Sequence, residues 1–441
     1  MELIRLPQNT EITKEIIEYV IKEHSKEKAR IEMLHRYYRN ENDEITNREY
    51  KDKNKPQNRL KNGYASYITN MAVGYFLGSP ISYKYQNDNL KKLIDDTFRY
   101  NDENDINTTL AKQSSIQGYS IELLYTDADA RPRMKPLKAT EIALVYDNAL
   151  EDNLMYAIRY YKEKDIVKDE EYTIVEVYDK EKKTIYKLDE SLTFIDEEMH
   201  YFGDVPVVVY TNNDELMGDF ERQLSLINSY DKLQSDSAND HEYFSNCMLV
   251  VSGYVLGEED AQSISDVRTL NFADSEGKAE YLVKNIQDVA LENFKNRIDN
   301  DIHKFSQIPN LSDKDFGNNA SGVSLQFKLM GIENITSVKE SKFRKGLMRR
   351  IELLCNFLNI KTNGDMAYLD VEPIFTRTKP INELEMAQMM QTLSGILSEE
   401  SILALSPFVD DVASEMERKK NEANALYEDN YSELGAINEE E

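Results

Sequence analysis

Apolar residues return at three- and four-residue steps through residues 11–39, where Ile12, Ile16, Tyr19 and Val20 fall on one face. That period predicts a helix, with Thr10 placed to cap its N-terminus. Residues 40–56, NENDEITNREYKDKNKP, offer almost nothing to bury and read as a charged loop. From 57 to 77 a second helix is predicted by Leu60, Tyr64, Tyr67, Ile68, Met71 and Tyr75. Gly78-Ser79-Pro80 stops it, and ISYKY at 81–85 reads as a strand. Two shorter helices follow, near 88–100 and 104–116.

Residues 118–211 change period. GYSIELLYTD, EIALVYD, LMYAIRYY, YTIVEVYD, TIYKLD and VPVVVYT are short strands joined by charged turns such as DKEKK at 179–183. Lysines and acids in those turns blunt the edges of the sheet. Helical spacing resumes after Gly218 with Phe220, Leu224, Ile227 and Leu233, then gives way to the small polar run SDSAND at 235–240, suited to close approach by a neighbouring helix. A compact α/β insert is predicted at 249–287, with strands at LVVSGYVL and AEYLVKN and a helix near 258–270. Leu291, Phe294, Ile298, Ile302 and Phe305 then mark a narrow apolar stripe over 288–306, which Pro309 ends. A long helix runs from about Val323 to Leu358. Its Gly331 and Gly346 each cost about 1 kcal/mol against Ala and are candidate bends. A strand-like MAYLDVEPIFT follows, then helices over 381–425 broken at Pro407 and a frayed acidic tail. No fixed-period repeat is present. The fold class is α+β.

With 441 residues the chain has room for two or three domains and a sizeable core. It has 28 Tyr and no Trp, a balance that suits half-buried positions and surfaces between subunits. The formal charge of -28 argues against a general nucleic-acid binder, because phosphate affinity comes mainly from Lys and Arg. Cys247 and Cys355 lie in apolar helical contexts and read as free buried thiols in a reducing compartment. The first residues, MELIRLPQNTEITKEII, lack the basic and apolar regions of an export signal, and no apolar run is long enough to span a bilayer. The expectation is synthesis in the cytoplasm, with no membrane partner.

Chemistry-bearing motifs are sparse. There is no GxxxxGK[ST] loop, and Gly277-Lys278 lacks both the preceding glycine and the following hydroxyl. The five histidines, His24, His35, His200, His241 and His303, are scattered without ligand spacing. No GxSxG elbow or Cys/His signature appears. No catalytic residues, metal or cofactor are predicted, and the chain does not read as an enzyme. The one anomaly is residues 305–350. From Val323 to Arg350 the helix carries Lys328, Lys339, Lys342, Arg344, Lys345, Arg349 and Arg350 against Glu333 and Glu340. A glycine- and asparagine-rich loop precedes it. The cluster Lys339, Lys342, Arg344, Lys345, Arg349 and Arg350 reads first as a solvated face or as partners for a neighbouring subunit's acids, and second as a DNA-facing patch. The loop reads as a connector or, given its length, as a functional element.

Several blocks resemble the portal proteins of tailed bacteriophages, of the type found in siphophages of Gram-positive hosts. NRLKNGYASYITNMAVGYFLGSPISYKY at 58–85 is similar to the family's N-terminal signature. Residues 218–253 resemble its first stem helix and the following strand. Residues 291–329 resemble the second stem helix, tunnel loop and start of the kinked channel helix, and 380–422 resembles the crown. The resemblance implies a β-rich wing, a two-helix stem, a small α/β clip, a long kinked helix and a helical crown. On this chain it would make 1–217 the wing, 218–248 and 288–308 the stem and 249–287 the clip. The tunnel loop would be 309–321, the channel helix and remaining wing 322–379, and the crown with its acidic tail 380–441.

That resemblance further implies a dodecameric ring at one capsid vertex, in the virion and, during assembly, in the host cytoplasm. Double-stranded DNA would pass through it without sequence preference, with Asn310, Ser312, Asp313, Lys314, Asp315, Phe316, Gly317, Asn318 and Asn319 facing the channel. The implied protein partners are the terminase large subunit, head-completion or adaptor proteins, and the major capsid and scaffolding proteins. An acidic wall fits, because it repels phosphate and lets DNA slide. Two other readings stand beside it: a non-enzymatic cytoplasmic scaffold or adaptor with no DNA path, and, more remotely, a nucleic-acid-processing enzyme using carboxylate-bound metal.

Overall fold

The computed structural model describes residues 3–50, 55–166, 169–245, 248–252, 278–282, 288–311, 322–377 and 383–403, with a few further positions between 405 and 421. The chain divides into two compact units, residues 1–310 with 329–378, and residues 311–328 with 379–441.

The first unit opens with a short strand β1 (Ile4–Leu6) and helix α1 (Lys14–Tyr38). Thr13, not Thr10, caps α1. Its hydroxyl oxygen accepts from the Ile16 amide at 3.4 Å, whereas the Thr10 hydroxyl donates to the Pro7 carbonyl at 2.7 Å. The charged run after α1 is also more than a loop. Asn42 caps a one-turn helix α2 (Asp43–Thr46), and Ile45 is buried beneath it. One apolar side chain is enough here because the Arg36–Asp43 pair, at 2.7 Å, ties the turn back to α1.

Helices α3 (Tyr64–Leu77), α4 (Asp88–Asn101) and α5 (Glu103–Gln117) follow, with strand β2 (Ser82–Tyr85) between the first two. In α4 the logic is plain. Asn87 accepts from the Asn89 and Leu90 amides, Leu90, Ile94 and Phe98 bury one face, and Asp102 ends the helix at φ 54. Helix α5 ends at Gly118, whose φ of 94 and tight surroundings both exclude a side chain: an added Cβ would lie 2.0 Å from the Leu216 carbonyl oxygen.

The β-rich region contains β3 (Tyr119–Thr126), β4 (Pro132–Leu137), β5 (Ile142–Asp147), β6 (Leu154–Asp165), β7 (Glu170–Tyr178), β8 (Lys182–Leu188), β9 (Leu192–Met199) and β10 (Val207–Thr211). They form a six-stranded sheet in the order β1-β5-β6-β7-β8-β9 and a three-stranded sheet β10-β3-β4. Pairing is antiparallel except between β1 and β5. Helix α6 (Leu224–Ser245) then leads to β11 (Met248–Ser252), which pairs antiparallel with β12 (Lys278–Leu282). The helix expected near 258–270 and Cys247 lie outside the described residues. Helix α7 (Asp288–Ser306) returns beside α6, burying Ile298 and Ile302 in a cluster with Ile227, Ile68 and Leu34.

Helix α8 (Gly322–Thr362) runs as one 41-residue element, followed by β13 (Val371–Ile374), which pairs antiparallel with β2. Phe343, Leu347, Ile351, Leu354 and Leu358 of α8 join Leu90, Ile94, Phe98, Phe202 and Tyr210 in the largest core cluster. Burying each such side chain contributes about 1.5–3 kcal/mol. Together they outweigh the roughly 2 kcal/mol that the two glycines cost the helix. Both glycines have a packing reason. A Cβ at Gly331 would meet the Gln307 carbonyl oxygen at 3.1 Å, and one at Gly346 would sit 2.3 Å from the Tyr210 ring. Cys355, also on α8, is a free buried thiol, and burial pushes its pKa up to about 11.

The second unit contains the start of α8, α9 (Glu383–Leu393) and α10 (Glu399–Leu403). The helical run breaks at Ser394–Ser398, where Gly395 takes φ 88, earlier than Pro407. Pro407 itself lies outside the described residues. Lys419 pairs with Glu399.

Candidate nucleic-acid interface

The basic residues of α8 form the local excess of positive charge singled out in the sequence, and their surroundings decide what they can touch. Lys339 is 6% exposed, and its ammonium donates to Asp219. The same carboxylate accepts from the Ser115 hydroxyl and from the Asn212 amide at 2.8 Å. Lys342 pairs with Asp214. Arg344 donates to Glu340 at 3.0 Å and to the Pro373 carbonyl at 2.6 Å, and lies over the Phe375 ring. Arg349 bridges Asp204 at 2.6 Å and Glu352 at 2.8 Å. Burial works against its charge, but these two carboxylates more than offset it and leave its pKa raised.

Arg350 is 0% exposed. Its guanidinium donates to Glu122 at 2.8 Å, Asn107 at 2.8 Å and Glu103 at 3.3 Å, and lies over the Tyr210 ring at 5.5 Å. Tyr210 and Tyr83 donate to the same two carboxylates, at 2.7 Å and 2.5 Å. Burial opposes the guanidinium charge, and Glu122, Tyr210 and Glu103 more than restore it. The expectation of one basic surface patch therefore fails for Lys339 and Arg350, which are interior residues spoken for within the chain. Lys345 is exposed and has no ion pair among the described residues.

Arg377, which the sequence pattern did not single out, belongs with this set. It donates to Glu340 at 2.6 Å and Glu333 at 3.3 Å, and Glu333 also accepts from Tyr75 at 2.6 Å. Thus the two acids on α8 that break the basic run are themselves bridged.

Of the expected channel-loop residues, Asn310 is described; Ser312, Asp313, Lys314, Asp315, Phe316, Gly317, Asn318 and Asn319 lie outside the described residues. The approach to the loop is firmly held. Ile308 is buried, and the Pro309 carbonyl accepts from the Tyr67 hydroxyl at 2.8 Å. Asn310 donates to Asp299 at 3.3 Å, and Tyr64 donates to the same carboxylate at 2.6 Å. His303 donates through Nδ1 to the Ile308 carbonyl at 3.1 Å. Burial, then the bond to Asp299, raises the Tyr64 pKa, so the phenol stays a neutral donor. Tyr64 and Tyr67 lie on the apolar stripe of α3; their hydroxyls are the polar handles that reach this corner.

This geometry positions a segment rather than a reacting group. Among the described residues no three His, Cys, Asp or Glu side chains are grouped to hold a metal ion. No described helix is long and apolar enough to cross a membrane.

The family model described as phage portal protein, SPP1 Gp6-like, matches residues 17–428. The chain belongs to this family. It is 25% identical over 425 residues to the portal protein of Bacillus phage SPP1, covering 89% of this chain and 83% of that one. It is 24% identical over 438 residues to the portal protein of Clostridium phage phiCD119, covering 89% of this chain and 93% of that one. Its function is that of a phage portal protein, a structural component of the capsid. The α+β content agrees with that family, and both relatives come from phages of Gram-positive hosts.

Proposed function

We propose that the chain assembles into a closed ring of about a dozen copies at one capsid vertex and forms the channel for genome packaging and ejection. Double-stranded DNA passes without sequence readout. The terminase large subunit docks during packaging, head-completion or adaptor proteins dock afterwards, and the major capsid and scaffolding proteins surround the ring. The observation that carries this reading is a single portal-family match running from residue 17 to residue 428. In support, α6 and α7 pack together with the β11–β12 pair between them in sequence, as expected of a two-helix stem (218–248 and 288–308) joined by a clip (249–287). Residues 1–217 and 322–379 are assigned to the wing and channel helix, and 380–441 to the crown.

Within this reading the basic residues of α8 are intrachain fasteners, and the segment after Asn310 is the part that meets DNA. Charge supports the division. A net charge of -28 disfavours a gripping wall, and five of the six cations in the cluster already face carboxylates of their own chain. The test is deletion of Asp313–Asn319. The ring should still assemble while the DNA packaged per head falls. Loss of assembly would show the segment to be glue between subunits, and unchanged packaging would remove it from the DNA path.

A further inference from the structure

The two larger sheets end in four edge strands, and three of them offer a partner little. β1 is three residues long, and β10 is largely buried. β4 is sealed. Its outward-facing backbone nitrogens belong to Pro132, Met134 and Pro136. The prolines carry no N–H, and the Met134 amide donates to Asn101 Oδ1 at 3.1 Å, while the Pro132 carbonyl accepts from Asn101 Nδ2 at 3.0 Å. β9 is different. It runs for eight residues, and all but Leu192 are exposed. Phe194, Ile195 and Met199 are half exposed. Among the described residues no other element hydrogen-bonds to its outer backbone; the Glu197 amide turns to the neighbouring Asp196 carboxylate, at 2.8 Å. An unpaired edge of this length is a template for one more strand.

Pairing with β8 fixes what each face of an added strand would meet. Phe194 lies opposite Tyr186, Glu197 opposite Thr184 and Met199 opposite Lys182, so these three share a face. The Phe194 ring meets the Tyr186 ring edge-on at 6.2 Å. Thr193, Asp196 and Glu198 lie opposite Lys187, Ile185 and Lys183, on the other face. Charge then selects the partner. Residues 182–199 carry five acids against three lysines. Lys182 and Lys183 pair with Glu197 and Glu198 at 2.7 Å, which leaves Asp196 without a cation among the described residues. A second β9 laid against this one would set like charges across the new ladder, and a net charge of -28 makes a second copy a poor source of cations. The acids thus disfavour this chain's own copies and admit a cationic strand.

We propose that the outer edge of β9 is a docking site for an extended segment of a basic partner protein. Side chains of that segment alternate, apolar beside Phe194 and Met199 and cationic beside Asp196 and Glu198, while its backbone continues the ladder. The docking needs neither a closed ring nor DNA.

The test uses the full chain and a blocked peptide as long as β9, in which lysine and valine alternate. Binding is read by fluorescence anisotropy, and its place by hydrogen exchange. With the peptide saturating, amides within Leu192–Met199 should exchange at least about tenfold more slowly, while those of the sealed strand β4 stay unchanged. Glutamate in place of lysine should weaken binding by about tenfold or more. N-methylation of every second peptide residue should do the same in one of its two phases, by removing the amides that face β9. In Asp196→Lys combined with Glu198→Lys, both exposed positions, the preference between the lysine and glutamate peptides should reverse. The peptide series on the unaltered chain decides the question even if this variant does not fold. Unchanged exchange at β9, or equal binding by the glutamate peptide or by both N-methylated ones, would overturn the proposal. So would β9 amides that are slow in a peptide-free assembly and fast in dissociated chains, because a second copy then covers the edge.

Discussion

Lys339 and Lys345 sit six residues apart on one helix and carry the same charge, yet they should respond oppositely to substitution. Lys339 is buried against Asp219, so Lys339→Met strands a carboxylate in the interior and should cost about 3–5 kcal/mol. Adding Asp219→Asn should recover most of that loss. Lys345→Glu, at an exposed position, should shift stability by less than about 0.5 kcal/mol. Denaturant titration of the three variants checks the contrast, and equal losses at the two lysines would contradict it. Gly346 makes a similar point without charge. Ala would favour the helix by about 1 kcal/mol, but its Cβ would fall 2.3 Å from the Tyr210 ring. Overpacking of that kind costs about 1–3 kcal/mol, so Gly346→Ala should lower the melting temperature.

His24 gives a residue-scale prediction in pH. It is 3% exposed, its Nδ1 lies 2.7 Å from the Tyr160 hydroxyl, and burial, helped by Lys28, pushes its pKa from 6.5 to about 4. The unfolded chain therefore binds a proton near pH 6.5 that the folded chain refuses until about 4. Its contribution is present above 6.5 and is lost as the pH falls through that window, up to about 3 kcal/mol. Wild type should lose that much more stability than His24→Gln between pH 7 and pH 4. Parallel curves would contradict the assignment.

At the scale of elements, most helices and strands are legible because they rest on local causes, whereas β1, β4 and β9 are not marked in the pattern. The period of three and four predicted α7 to the residue, and the stop at Gly78 and the alternation at 82–85 were visible in composition alone. Thr13 was missed as a cap because two threonines stand near the same start. The single buried residue of α2, Ile45, was too little signal against a charged run. What the sequence hid most thoroughly was the role of the α8 cations. Lys339 finds Asp219 across 120 residues, and Arg350 finds Glu122 across 228. Helical spacing shows that such charges share a face; it carries no information on a partner that far away. The one clue was Glu122 itself, a lone acid inside the apolar strand GYSIELLY.

The tyrosines tell a related story across the whole molecule. Their abundance without Trp suggested surfaces between subunits, yet many of their hydroxyls are used inside one chain. Tyr64, Tyr75, Tyr83, Tyr85 and Tyr210 each donate to a carboxylate at 2.5–2.7 Å. In a chain with 81 acids and 53 bases, cations cannot pair with every carboxylate, and a phenol can donate to one without adding charge. The same excess of acid suits a conduit, since an acidic wall leaves polyanionic DNA free to move. We propose that this acidic, portal-family chain closes around a channel. The most direct measurement is electron imaging of the purified particle viewed down its axis, with mass photometry on the same sample. The account predicts a closed ring of about a dozen subunits with an open centre. A stable monomer at micromolar concentration, or a closed particle with no axial opening, would contradict it.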